Sequence, residues 1–249
     1  MHYSVTQMNT WLLVGIYYVL TLFWTILIAG VQQQTGFTTP ETVILPQLGP
    51  GLAALSMLLF FKKERFSVSI SMRGISLKNI VLVLFVPSVV MAAIVLLCRT
   101  FITSFTPQIP DASAIPFILG GMLMGAFGEE LGWRAYAQRL VEERKSRMIA
   151  VLVIGILWGL WHIGNYQHGV LYVAYFLLFG IGASGVMAHL LGGTRYNLIL
   201  AALFHVVLNC GYFTMREILS DVRFSLISGI VWMLVWGLVL LLERRINTR

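Results

Sequence analysis

Charge is what this chain has least of. Only 11% of its 249 residues are Asp, Glu, Lys or Arg, where an ordinary soluble domain carries about 25%. That scarcity excludes a water-facing globule and makes a membrane the expected solvent. Cysteine is nearly absent as well. Cys98 and Cys210 both lie in apolar runs, which fits small buried groups and argues against a structural disulfide. No HExxH sequence occurs, so the usual helix-borne zinc-protease signature is missing. No stretch alternates apolar and polar residues as a membrane barrel requires, and no internal repeat of the transporter kind is visible. The N-terminus has neither a basic n-region nor a small-residue cleavage site, so its first apolar run reads as a retained span, not a signal peptide.

Apolar sequence is what remains: 58% hydrophobic residues and a mean hydropathy of +0.85. About 20 such residues cross a bilayer. Charge-free windows of that size run from Trp11 to Gly30, Val43 to Phe61 and Ile80 to Leu97. The next, from about Phe117 to Ala137, contains Glu129, Glu130 and Arg134. From Met148 to Thr194 there is no formally charged residue. That run is too long for one helix, and Gly164-Asn165-Tyr166-Gln167-His168-Gly169 reads as the turn that divides it. Asn197 to Met215 and Ser225 to Leu242 follow. The expected fold is all-α: one integral membrane domain over residues 1–249, a bundle of about eight transmembrane helices, with a motif-bearing core near residues 117–215.

Positive charge tests that topology. With a cytoplasmic N-terminus, the inner loops and tail hold Lys62, Lys63, Arg65, Arg73, Lys78, Arg139, Arg144, Lys145, Arg147, Arg195, Arg244, Arg245 and Arg249. The outer loops hold Arg99, Arg216 and Arg223, which makes 13 inside against 3 outside. The asymmetry favours eight spans with both ends cytoplasmic. The net charge of +7 then reflects membrane orientation, and nucleic acid is not an expected partner. Pro46 and Pro50 in the second window and Pro87 in the third are expected as tolerated kinks. Thr103 to Pro116 reads as an outer loop. Arg65 to Lys78 reads as a basic loop, with a short helix on the anionic inner leaflet as the alternative.

Three polar clusters interrupt the apolar runs. A charge at the centre of a lipid-spanning helix costs roughly 2.5–3.5 kcal/mol on insertion scales, so charges kept there ask for a use. Glu130 and Arg134 are four apart and share a helix face, where they form an ion pair. Glu129 points about 100° away and is left as a carboxylate facing a separate cavity, a candidate general base. Trp158 and His162 share a face at the same spacing, and so do His205 and Asn209. Taken singly, each histidine reads as a hydrogen-bonded packing residue. Together the clusters offer a base, two imidazoles and an amide, which can bind a water and stabilise an oxyanion. Glu129, His162 and His205 could instead ligate zinc. Tyr166 and Asn165 lie just past His162 and could reach the same cavity. His168 and His189 read as bystanders. Ser184 lies between Gly182 and Gly185 and lacks a nucleophile-elbow context, so it reads as a packing residue.

The ordered series Glu-Glu-x-x-x-Arg, aromatic-x-x-x-His and His-x-x-x-Asn on successive apolar helices resembles the CPBP family. That family includes the type II CAAX prenyl endopeptidases and the bacterial Abi proteins. The likeness covers about Gly121 to Asn209 and the N-terminal half only in general character. It implies an intramembrane endopeptidase, of a kind often classed as a metalloprotease, in a bacterial cell membrane. By position, Glu129 resembles the water-activating glutamate and His162 the residue that helps hold the water. His205 and Asn209 resemble the oxyanion-stabilising pair, and Glu130 with Arg134 the supporting residues. Trp158 stands where the second motif often has Phe. That departure keeps an aromatic wall and bears on substrate fit more than on chemistry. The implied partners are membrane lipids and a peptide or protein substrate, CAAX-type or otherwise lipidated, and the implied cofactor is none or zinc. Two other classes stay open at this stage. One is a proton-coupled transporter, which also uses intramembrane Glu, Arg and His. The other is a non-catalytic immunity or scaffold protein that binds a peptide.

Overall fold

A computed structural model describes residues 8–36, 44–61, 68–102 and 105–247. Lys62, Lys63, Arg65 and Arg249 of the charge count, Val43 at the expected start of the second span and Thr103 of the outer loop lie outside the described residues. Within them the chain is all-helical. The helices are α1 (Thr10–Thr35), α2 (Gly49–Phe60), α3 (Leu77–Phe101), α4 (Ile115–Gly132), α5 (Arg139–Glu142), α6 (Arg147–Trp161), α7 (Val170–Leu191), α8 (Leu198–Thr214) and α9 (Val222–Asn247). Each apolar window predicted as a span contains a helix. Among the described residues, four segments are long and apolar enough to cross a membrane: α1, α3, α7 with the turn after it to Thr194, and α9. α6 and α8, and the stretch Leu45–Phe60, are shorter apolar helices. Four of the eight expected spans thus meet that criterion.

The second window departs most from expectation. Pro46 falls in a short 3-10 turn, Leu45–Leu48, and Pro50 in the first turn of α2. Proline lacks an N–H and has a preset φ, which suits a helix start better than a helix middle. The two prolines therefore begin separate elements and do not kink one long helix. α2 keeps 12 residues, about 18 Å of rise against a hydrocarbon core about 30 Å thick. Pro87, by contrast, is buried inside α3, as expected. Segment 68–76 is a loop. It is tied down by Leu198 N–H to Ser69 O at 2.8 Å and Asn197 Nδ2 to Ser71 O at 3.0 Å. Residues 105–114 also form a loop.

α4 does not end near Ala137 as expected. It runs into a π-helical segment, Trp133–Gln138, and then into α5. A π turn holds one more residue than an α turn and recurs at functional sites. This one begins just after Glu129 and Glu130, and all of its residues are buried. Trp133 packs edge-on against Tyr17 of α1 and Trp161 of α6, with ring centroids 5.6 and 6.1 Å away.

Small residues let the helices close around this segment. A Cβ at Gly51 of α2 would sit 2.8 Å from Gly128 O of α4, and one at Gly132 would collide with Pro50. A Cβ at Gly155 of α6 would sit 2.7 Å from Ile181 Cα of α7. In lipid, helices gain little from burying more apolar surface, so such close backbone approach supplies much of the association. α4 packs on α2 and α8, and α6 packs on α7. Cys98 is a buried free thiol, as expected of a small packing residue, whereas Cys210 is only partly buried.

Candidate active site

The α4–π junction, the end of α6 and the middle of α8 bring the three clusters together. Glu129 and Glu130 are fully buried, and Arg134 almost so. Arg134 Nη1 lies 3.4 Å from Glu130 Oε1, the ion pair the spacing predicts. Arg134 Nη2 donates to Ser184 Oγ at 3.2 Å, so Ser184 does more than pack. The guanidinium also stacks over the Trp158 ring at 4.2 Å, a cation–π contact.

His205 does not pair with its helix neighbour Asn209. Its Nδ1 lies 2.6 Å from Glu130 Oε1, and its Nε2 lies 3.9 Å from Glu129 Oε1. With Nδ1 bound to a carboxylate, Nε2 is the nitrogen left for chemistry. Glu130 Oε1 thus serves both Arg134 and His205, while Oε2 is buried without a hydrogen-bond partner among the described residues.

His162 sits one residue past the end of α6, as its C-cap, and not within the helix. Its Nδ1 lies 2.8 Å from Trp158 O, and its ring meets those of Trp161 and Phe176 at 4.9 Å. A short 3-10 segment, Ile163–His168, then turns the chain into α7, where the glycine-bounded turn is predicted.

A cavity of about 450 Å³ opens beside these groups. His162, His205 and Asn209 line it, with an aromatic wall of Trp158, Tyr172, Phe176, Phe179 and Tyr212. Asn165 also reaches it, as expected, whereas Tyr166 turns its hydroxyl to Leu160 O at 3.0 Å. His168, read as a bystander, also lines the cavity. His189 does lie apart, paired with Glu243 at 3.2 Å. A second cavity of about 310 Å³ shares Gln47, Asn209 and Tyr212 with the first.

Glu129 needs a correction. It is not on the wall of either cavity. Its carboxylate is held just behind the wall by two N–H donors. Trp158 Nε1 donates to Oε2 at 2.8 Å, and Gln47 Nε2 donates to Oε1 at 2.9 Å. Trp158 is therefore more than an aromatic wall, because its indole N–H makes a bond that Phe cannot. Gln47 is missed by a search of the sequence for charge, since it is neutral. Its signal is a lone amide between Pro46 and Pro50 in an otherwise apolar run.

The zinc set does not fit this arrangement. Among the described residues no three His, Cys, Asp or Glu side chains group closely enough to hold a metal ion.

Known proteins give this geometry a setting. The family model for the Rce1-like type II CAAX prenyl endopeptidases matches residues 111–246, a stretch holding all three clusters. Lysostaphin resistance protein A of Staphylococcus haemolyticus is 28% identical over 204 residues, covering 78% of this chain and 54% of that protein. Its namesake in Staphylococcus aureus strain Newman is 28% identical over 181 residues, covering 70% of this chain and 43% of that protein. The chain spans about half the length of the curated relatives it matches. With the matched model covering more than half of the sequence, this chain belongs to the Rce1-like type II CAAX prenyl endopeptidase family.

Proposed function

We propose that this chain is an intramembrane endopeptidase. It hydrolyses a peptide bond in a membrane-associated peptide or protein, of the lipidated CAAX kind or another apolar one, in a bacterial cell membrane. Glu129 takes a proton from water that His162 helps to hold. The hydroxide attacks the scissile carbonyl, and His205 and Asn209 stabilise the oxyanion; the intermediate collapses with cleavage of the C–N bond, and the amine leaves with the proton that Glu129 took. A peptide in the cavity lined by His162, His205 and Asn209 would present its carbonyl to both imidazoles, with the apolar aromatic wall holding its flanking side chains.

The observation that carries this reading is the 3.9 Å separation of Glu129 Oε1 and His205 Nε2. It is too long for a direct hydrogen bond, and one water can touch both groups. Hydrolysis needs a base and an oxyanion donor within reach of one reacting carbon, and the closeness of these two groups supports assigning them those roles. We also propose eight membrane-inserted segments with both termini cytoplasmic, supported by the charge asymmetry.

The test compares peptides released from membranes holding wild-type protein or Glu129→Ala, by mass spectrometry. Peptides produced by the wild type should vanish in the variant while the protein remains folded. Equal release from both would refute the reading. Proton or solute flux in liposomes, without cleavage, would favour a transporter.

A further inference from the structure

A glutamate side chain turns about three bonds, and a general base must keep its oxygen within hydrogen-bond reach of the proton it takes. Something must therefore hold Glu129. Trp158 does so from within the family-matched stretch, at Oε2. The second holder, Gln47, lies outside that stretch. It donates to Oε1, the oxygen that faces His205 Nε2.

Gln47 is seated as well as near. Its side chain lies over Gly125, one turn before Glu129, where any Cβ would collide with the Gln47 amide oxygen. Its backbone carbonyl would lie 2.8 Å from a Cβ at Gly128. The turn that carries it has proline at its start, and α2 behind it has another, which fixes φ on both sides. Leu45 N–H ties the same turn to Gln32 of α1 at 3.1 Å. Gln47 also lies on the walls of both cavities beside Asn209.

We propose that Gln47 is a positioning residue of the hydrolytic site. Its amide fixes Glu129 Oε1 toward the cavity, so the 3-10 turn Leu45–Leu48 completes a site otherwise built from the family-matched helices. A carboxylate oxygen has two lone pairs, so the bond from Gln47 leaves one for the proton of water. The proposal rests on reading Glu129 as the base.

Gln47→Met tests it, because the side chain keeps its length and loses its donor. The first readout needs no substrate. Purified protein is treated with dicyclohexylcarbodiimide, an apolar reagent for buried carboxyl groups, and labelling at Glu129 and Glu130 is followed by mass spectrometry. Labelling at Glu129 should rise several-fold in the variant while Glu130 stays as in the wild type. The second readout is turnover of the peptide that wild-type membranes release. Its kcat should fall roughly tenfold, the effect of one hydrogen bond to a charged group, with little change in KM.

Unchanged Glu129 labelling overturns the proposal, whatever happens to turnover. That outcome leaves the base assignment standing if Glu129→Ala is inactive. Wild-type cleavage by Glu129→Ala removes the base assignment and this proposal with it. If Gln47→Met does not fold, Gln47→Asn takes its place, since it withdraws the amide by one methylene and carries the same expected outcomes.

Discussion

Two Arg–Glu pairs lie a few turns apart on one stretch of helix, with the same spacing. Glu130 and Arg134 are 3.4 Å apart, with side-chain exposures of 0% and 1%. Arg139 and Glu143 are 3.2 Å apart, with exposures of 11% and 53%. By distance the second pair is slightly the better. By environment they are opposites. The first is fully buried, with Arg134 in the π segment itself, and is wired to Ser184, Trp158 and His205. The second is half in water, where solvent screens it and side-chain entropy opposes it. Spacing in a sequence therefore establishes that a pair can form, and the surroundings decide how much depends on it.

The buried pair should be the harder to lose. Arg134→Ala leaves Glu130 as a buried carboxylate with its cation gone, which costs about 3–5 kcal/mol. Thermal unfolding in detergent should show a sharp loss of stability, or no folded protein at all. A variant that unfolds like the wild type would erase the distinction between the two pairs.

Trp158 sharpens the comparison one level down. Trp158→Phe keeps a ring beneath the Arg134 guanidinium and removes the N–H that reaches Glu129. Leaving a buried acceptor unpaired costs about 1–3 kcal/mol. The loss should appear mainly as a lower kcat for the released peptide, with Arg134 still in place. If Phe preserves the rate, Trp158 serves only as a wall, and the network around Arg134 ends short of Glu129.

How much of this could be read in the sequence follows from the range of each interaction. The Glu130–Arg134 pair was legible because both residues lie on one helix at a fixed spacing. The polar clusters themselves were legible because charge stands out against an apolar background. The link from His205 to Glu130 was not, since it joins residues 75 apart in the chain and on different helices. The π segment has no periodic signature, so an ordinary helix end near Ala137 was the natural expectation. The second window misled because its composition is that of a span while its two prolines start new elements. Gln47 carries no charge, and its importance lies in what α4 brings against it.

The smallest effect belongs to the outer member of the comparison. Glu143→Gln removes the charge from a side chain that is 53% exposed and 3.2 Å from Arg139. Water can take over what the carboxylate did, and measured exposed pairs contribute about 0–1 kcal/mol. The order of the pair, with Arg on the N-terminal side, is also the less favourable one on a helix. The melting temperature and the release of peptide should both match the wild type, and raising the salt should narrow what difference remains. A loss approaching that of Arg134→Ala would mean that the C-terminal end of this helix is coupled to the buried site. The π segment, which joins the two pairs through an unbroken run of buried residues, would then be the element to test next.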